Sequence, residues 1–199
     1  MPEILEAMFL PVPSQIGYVA LGGLILGESS GVPLPGETAL ITAGGLVAAG
    51  QLSLPLVILV ATLAAVTGDT IGYWLGRRGG RALLLRDGFG ASHRRHAVRR
   101  ADHYFARYGA ATVFFGRWVP GVRIVAAVMA GAARMPWPRF AVANAAGAFA
   151  WATTITTLAV LVGPAGSAAL AAGGLLLGAI TLAVGVRSHR RSLQAAAQV

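Results

Sequence analysis

Five charged residues stand in stretches that are otherwise apolar: Glu28, Glu37, Asp69, Arg117 and Arg123. A charge at hydrocarbon depth costs about 3 kcal/mol or more, so each should face protein and have a partner. The planar guanidinium fork of Arg117 or Arg123 suits a phosphate or carboxylate, which it can grip through two parallel hydrogen bonds. Carboxyl groups beside such a site can take and release protons, because burial disfavours their charged form. The same five residues could instead be a structural salt-bridge cluster that pins helices together.

Other residues suggest chemistry less well. Gly27-Glu28-Ser29-Ser30-Gly31 has the Gly-x-Ser-x-Gly spacing of a serine hydrolase, but such a nucleophile needs a base at the same depth. The four histidines, His93, His96, His103 and His189, all lie in Arg-rich segments. The first three are better read as part of a solvated basic amphipathic helix than as a metal site, since cysteines are absent and acids few. Neither a metal nor a cofactor is expected, and the chain does not read as an enzyme.

The elements that carry the five charges follow from hydropathy and from Pro and Gly. Residues 14–30 and 38–49 are apolar, and Gly31-Val32-Pro33-Leu34-Pro35-Gly36 between them must break a helix. The second stretch has 12 residues and reaches only about 18 Å as a helix. Residues 108–116 and 124–133 repeat the arrangement around Arg117-Trp118-Val119-Pro120-Gly121-Val122-Arg123. Each pair reads as a re-entrant hairpin with an irregular tip, tolerated at membrane depth only where protein or a water-filled cavity satisfies the backbone. The helices starting after Pro35-Gly36 and after Pro120-Gly121 would aim their N-termini at one zone, which favours an anion.

Residues 52–76, 138–163 and 166–187 read as three full spans, the last two separated by Gly163-Pro164-Ala165-Gly166. Twenty-five residues reach roughly 37 Å, enough to cross a core of about 30 Å with tilt. Gly68, Gly72 and Gly76 recur every fourth residue, a pattern for close helix packing, with Tyr73 beside them as a packing residue. Trp118, Trp137 and Trp151 fit interfacial anchors, although Trp118 lies in a hairpin tip.

All sixteen basic residues are Arg, and fourteen fall at 77–107, at Arg134 with Arg139, or at 187–191. Basic clusters flanking long apolar runs mark cytoplasmic ends. The first hairpin then enters from outside and the second from the cytoplasm, which is the inverted-repeat logic of secondary transporters. Pro33 to Gly44 and Pro120 to Gly131 share a spacing of eleven residues. The chain divides into an interfacial segment over 1–13, a first repeat over 14–76, an Arg-rich cytoplasmic segment over 77–107, a second repeat over 108–163, and a final span with a basic cytoplasmic tail over 164–199.

Composition agrees. Hydrophobic residues make up 56% of the 199 residues and charged ones only 12%, about half the fraction usual in soluble domains. The fold class expected is an all-α membrane protein: an inverted repeat with two re-entrant helical hairpins and about three full transmembrane spans. The net charge of +9 does not indicate nucleic acid, because stacking aromatics do not interleave with the Arg clusters. Those clusters suit anionic lipid headgroups instead.

Several motifs together resemble the DedA family, whose shared module is the VTT domain. They are Gly27-Glu28-Ser29 with Pro33-Leu34-Pro35-Gly36-Glu37, Gly68-Asp69 with Gly72-Tyr73-Trp74-Leu75-Gly76-Arg77, and Phe115-Gly116-Arg117-Trp118-Val119-Pro120-Gly121-Val122-Arg123. Ala130-Gly131 follows, with Met135, Phe140, Asn144, Gly147 and Trp151. The resemblance covers about 17–163. It implies a multi-pass protein of the bacterial inner membrane that moves undecaprenyl or another polyprenyl phosphate, with proton dependence. It assigns an acidic pair to Glu28 and Glu37 and an arginine pair to Arg117 and Arg123. Family members often carry Asp where this chain has Glu37, which keeps the charge and lengthens the reach. No function carries over to the Arg-rich stretch between Gly90 and Arg107.

The expected function is therefore a lipid-phosphate flippase. Arg117 and Arg123 would hold the phosphate of a polyprenyl phosphate or phospholipid, Glu28 and Glu37 would pair with them in the empty site, and Asp69 would be a further counter-ion. Replacing either arginine with Ala is expected to abolish transport and leave the fold intact. An ion- or proton-coupled exporter of small solutes, a phospholipid scramblase, and a non-catalytic organiser acting through Arg94, Arg95, Arg99 and Arg100 stay open as alternatives. A homo-oligomer is compatible with all of them.

Overall fold

Sixteen residues, Ser14–Ser29, form α1 without a charge before Glu28. Its buried residues Leu21, Ile25 and Glu28 recur at helical spacing, so the carboxylate continues an apolar stripe. The helix stops where Gly31 takes a positive φ of 104°, a conformation that glycine adopts without penalty. The chain restarts as α2, Gly36–Ala48. These helices belong to a computed structural model that describes residues 14–32, 34–80, 103, 105, 107–119 and 122–196. The expected interfacial segment 1–13 and the Arg-rich stretch 81–102 lie outside the described residues, and with them His93, His96, Arg94, Arg95, Arg99 and Arg100.

Leu54–Leu75 form α3, with a proline in its first turn, where the missing N–H is harmless. A π-helical turn, Gly76–Gly80, prolongs it. Residues 107–115 form α4, and a 3₁₀ turn, Gly116–Trp118, continues directly from it. Val122–Ala132 form α5. Trp137–Ala196 form α6, which is two helical arms broken at Gly163 by a non-helical φ of 79°. The second arm restarts on Pro164, as the Gly-Pro pair predicts, and continues past Arg187 to Ala196 rather than ending there.

The described residues are helical, with no strand. Leu54–Gly79 and Trp137–Ala179 are long and apolar enough to cross a membrane. Their outward faces are apolar: Leu59, Leu63, Val142, Phe149, Leu161 and Leu176 are all more than half exposed. So much exposed apolar surface fits a lipid environment and not water.

Small residues set the packing. Gly44 of α2 meets Ala159 on the first arm of α6, Gly45 meets Ser167 on the second, and Thr38 meets Gly174. So α2 lies against both arms. A methyl group on Gly76 would overlap the Val128 carbonyl, and one on Gly131 would overlap the Tyr73 carbonyl. The two glycines thus let α3 and α5 cross backbone to backbone. Tyr18 ties α1 to the start of α3, its hydroxyl accepting the Ser53 N–H at 2.8 Å.

One expectation changes here. The second tip was expected to be irregular over 117–123. Helical backbone instead runs through Trp118 and is present again from Val122. Arg117 therefore projects from a helical turn, and Arg123 from the first turn of α5.

Candidate functional site

Gly68 on α3 lets α1 approach so closely that a methyl group there would collide with Ser29 and the Leu26 carbonyl. Asp69 follows it and is carried to the centre of the molecule. On the other side, Gly147 admits the Phe114 backbone and the Arg117 side chain against α6. These contacts bring Arg117, Asp69 and Asn144 together.

Arg117 forms a salt bridge with Asp69; their side chains are 3% and 7% exposed. The same terminal nitrogen, Nη2, donates to Asn144 Oδ1 at 2.7 Å. The Asn144 amide in turn donates to the Val66 carbonyl at 3.4 Å, which orients it. Both good contacts of Arg117 thus fall on one nitrogen. Its Nε and Nη1 are buried without a hydrogen-bond partner, as is Asp69 Oδ1. Unmatched buried donors cost about 1–3 kcal/mol each, more when charged, so a fork of two is a feature to be explained.

Arg123 forms a salt bridge with Glu28. Glu28 also accepts the backbone N–H of Gly36, the first residue of α2. It thereby satisfies one of the free N–H groups at that helix end and meets its partial positive charge. The guanidinium of Arg123 stands over the ring of Trp151, 5.1 Å from its centre. Asp69, Arg117, Arg123 and Asn144 line one small cavity with about 10 Å³ of free room, about what one water needs.

Four of the five predicted residues therefore converge; Glu28 pairs with an arginine as expected, whereas the partner of Arg117 differs. Arg117 pairs with Asp69, which the sequence ranked below the two glutamates. Glu37 is half-buried in the first turn of α2 and forms no ion pair among the described residues. The cause is geometric: Glu28, at the end of α1, reaches the N-terminus of α2 and takes the place beside Arg123. The two tips do meet, through Glu28 and Arg123.

Other expectations change too. Trp151 is not an interfacial anchor but is 2% exposed and faces Arg123. Tyr73 does more than pack. Its hydroxyl donates to the Met135 carbonyl at 2.5 Å and accepts from Arg77 Nη1 at 2.9 Å. A tyrosine in an apolar helix needs such a partner, so the signal was present. Asn144 was noted only as part of a family pattern. An amide in the long uncharged run of α6 carries the same burial penalty and could have been singled out.

Comparison with known proteins supplies the lineage. The VTT domain matches residues 34–161. An uncharacterized membrane protein of Synechocystis is 42% identical over 149 residues, which cover 75% of this chain and 68% of that one. The inner membrane protein YohD of Escherichia coli is 34% identical over 147 residues, covering 73% and 70%. Undecaprenyl phosphate transporter A of Bacillus subtilis is 35% identical over 107 residues, covering 52% and 54%. No solved structure matches significantly. Most of the paired groups, Asp69, Arg117, Arg123 and Asn144, fall within the matched region, and the chain is a membrane protein of the VTT domain (DedA) family.

Proposed function

We propose that this protein moves a lipid phosphate, of the undecaprenyl phosphate type, across the bacterial cytoplasmic membrane. The observation that carries the reading is the buried Arg117 fork, with Nε and Nη1 unmatched. A phosphate presents three acceptor oxygens and can take both donors at once. The relative named undecaprenyl phosphate transporter A supports the substrate class.

In the bilayer, α1–α2 and α4–α5 are re-entrant hairpins that enter from opposite faces, and α3 with the two arms of α6 cross it. Arg77, Arg78, Arg134, Arg139 and the C-terminus lie on the cytoplasmic side. The present arrangement is a closed one, since a cavity with room for one water cannot hold a phosphate. Opening separates the α5 hairpin from α1 and α3. Phosphate then replaces Asp69 on Arg117 and Glu28 on Arg123, and the displaced carboxyl groups take up protons in the low-dielectric site. Glu37, half-buried in the first turn of α2, is a further counter-ion for the arginines once the hairpins separate. The lipid tail stays in the bilayer throughout.

The test is reconstitution in liposomes with a polyprenyl phosphate whose sidedness is followed, with and without a pH gradient. Arg117→Lys keeps the charge beside Asp69 and removes the fork. Gradient-driven movement in the wild type, reduced at least tenfold in this variant, is the expected result. Equal movement of all phospholipids without a gradient would make the protein a scramblase. A folded protein that moves no lipid would return the charges to small-solute exchange or to a partner-binding role.

A further inference from the structure

The wall between α3 and α5 has two sides. Asp69 and Ala127 face the buried cavity, whereas their chain neighbours Thr70 and Val128 face an open groove on the outside of the molecule. That groove has a volume of about 850 Å³, and Ile71, Trp74 and Leu75 extend it along α3 to Arg78. Its lining is mostly apolar, with Thr70 at one end and Arg78, the one charged lining residue, at the other. Arg78 lies in the π-helical turn over Gly76–Gly80, a distortion common at functional sites, and lines the groove. The guanidinium stands 5.5 Å from the centre of the Trp74 ring. Among the described residues no carboxylate pairs with it. Opposite Trp74, the Gly76–Val128 and Gly131–Tyr73 backbone crossings make the floor rigid.

We infer that this groove is a docking site for a phosphate lipid, with the hydrocarbon chain along Ile71, Leu75 and Val128 and the phosphate on Arg78. The volume lies within the range of ligand clefts, about 300–1,000 Å³. The pattern of a long, mostly apolar trough with a cation at its mouth that no described carboxylate neutralises matches a molecule that is apolar along its length and anionic at one end. Choice of lipid comes from the head: a neutral lipid with the same chain fills the trough equally well but leaves Arg78 without an anion. Under the transport reading, on which this role rests, the groove is where the substrate waits before its head passes around α3 to Arg117.

The experiment reads binding separately from transport. The full chain is placed in nanodiscs of zwitterionic lipid with a polyprenyl phosphate, or the corresponding polyprenol, carrying a nitroxide on its chain. Quenching of Trp74 is taken as the difference between wild type and Trp74→Phe. The expected result is quenching at least threefold stronger by the phosphate than by the alcohol at equal mole fraction, an excess that Arg78→Gln removes. Ile71→Trp, which fills the trough, should raise the half-saturating lipid concentration in the transport assay about fivefold and leave the maximal rate unchanged. Equal quenching by phosphate and alcohol would overturn the proposal and leave ordinary bilayer contact. Excess quenching in a protein that moves no lipid would keep the groove as a phosphate-lipid site and defeat the transport reading instead. Transport without excess quenching would do the reverse.

Discussion

Arg123 with Glu28 and Arg117 with Asp69 line or border the same small cavity, yet their polar atoms are matched to different degrees. Glu28 receives Arg123 and the Gly36 N–H, and Arg123 adds the face of Trp151. None of Arg123's nitrogens is both buried and unpaired. Arg117 is buried more deeply and matched less well, with both of its hydrogen bonds on one nitrogen. The comparison separates two uses of a buried ion pair. One joins helix ends and is fully satisfied in this arrangement, so a ligand must displace a complete set of contacts to use it. The other is stable enough to form but leaves donors that only an added anion can satisfy.

The strongest way to break this distinction is to remove the Arg117 charge. Arg117→Gln leaves Asp69 buried without compensation, and such a change costs about 3–5 kcal/mol. The Arg117→Ala variant is therefore expected to lose stability as well as transport, contrary to the expectation from sequence that the fold would be untouched. Asp69→Asn combined with Arg117→Gln should regain most of that stability in micelle unfolding and still move no lipid phosphate. A double variant that transports would defeat the assignment of Arg117.

Gly36→Ala probes the other pair without touching a charge. The added methyl group would overlap Glu28 Oε2 and press on the backbone of α1 at Ile25. Overpacking of this kind costs about 1–3 kcal/mol, read as a lowered unfolding midpoint. Because the phosphate must also displace Glu28 from Arg123, any transport remaining at a temperature where the protein is folded should show a changed half-saturating concentration. An unchanged value would mean that Arg123 takes no part in holding the phosphate.

Trp151→Leu removes the ring beneath Arg123. A partly desolvated cation–π contact contributes about 1–2 kcal/mol, so a loss of that size in unfolding is expected. No change would reduce Trp151 to packing. The smallest effect is expected from Tyr73→Phe, which removes the hydroxyl shared by Met135 and Arg77. Arg77 keeps its own bond to the Met135 carbonyl at 3.2 Å, so the loss should be about 1 kcal/mol. Transport by this folded variant should match the wild type, since the hydroxyl touches neither ion pair.

Much of this molecule was written along the chain. Apolar runs interrupted by Gly31, Gly36 and Gly163 placed α1, α2, α3 and the first arm of α6 to within a few residues, and the start of the second arm, whose helix runs on to Ala196, because chain breaks depend on local backbone chemistry. The five charges stood out for the same reason: a charge in an apolar run is costly wherever the run packs. Their partners could not be read in this way. Whether Arg117 meets Glu37 or Asp69 depends on the rotation and crossing of helices 48 residues apart in sequence, set by contacts such as Gly68 against Ser29 and Gly147 against Phe114. The same holds for Asn144, which became a site residue only when α6 brought it to Arg117. It holds too for Trp151, whose ring looked like an anchor until packing turned it inward. Sequence by itself determined which side chains had to be buried with a partner. Only the tertiary structure decided who the partners were and which donors were left over, because that depends on distances of a few ångströms between elements far apart in the chain.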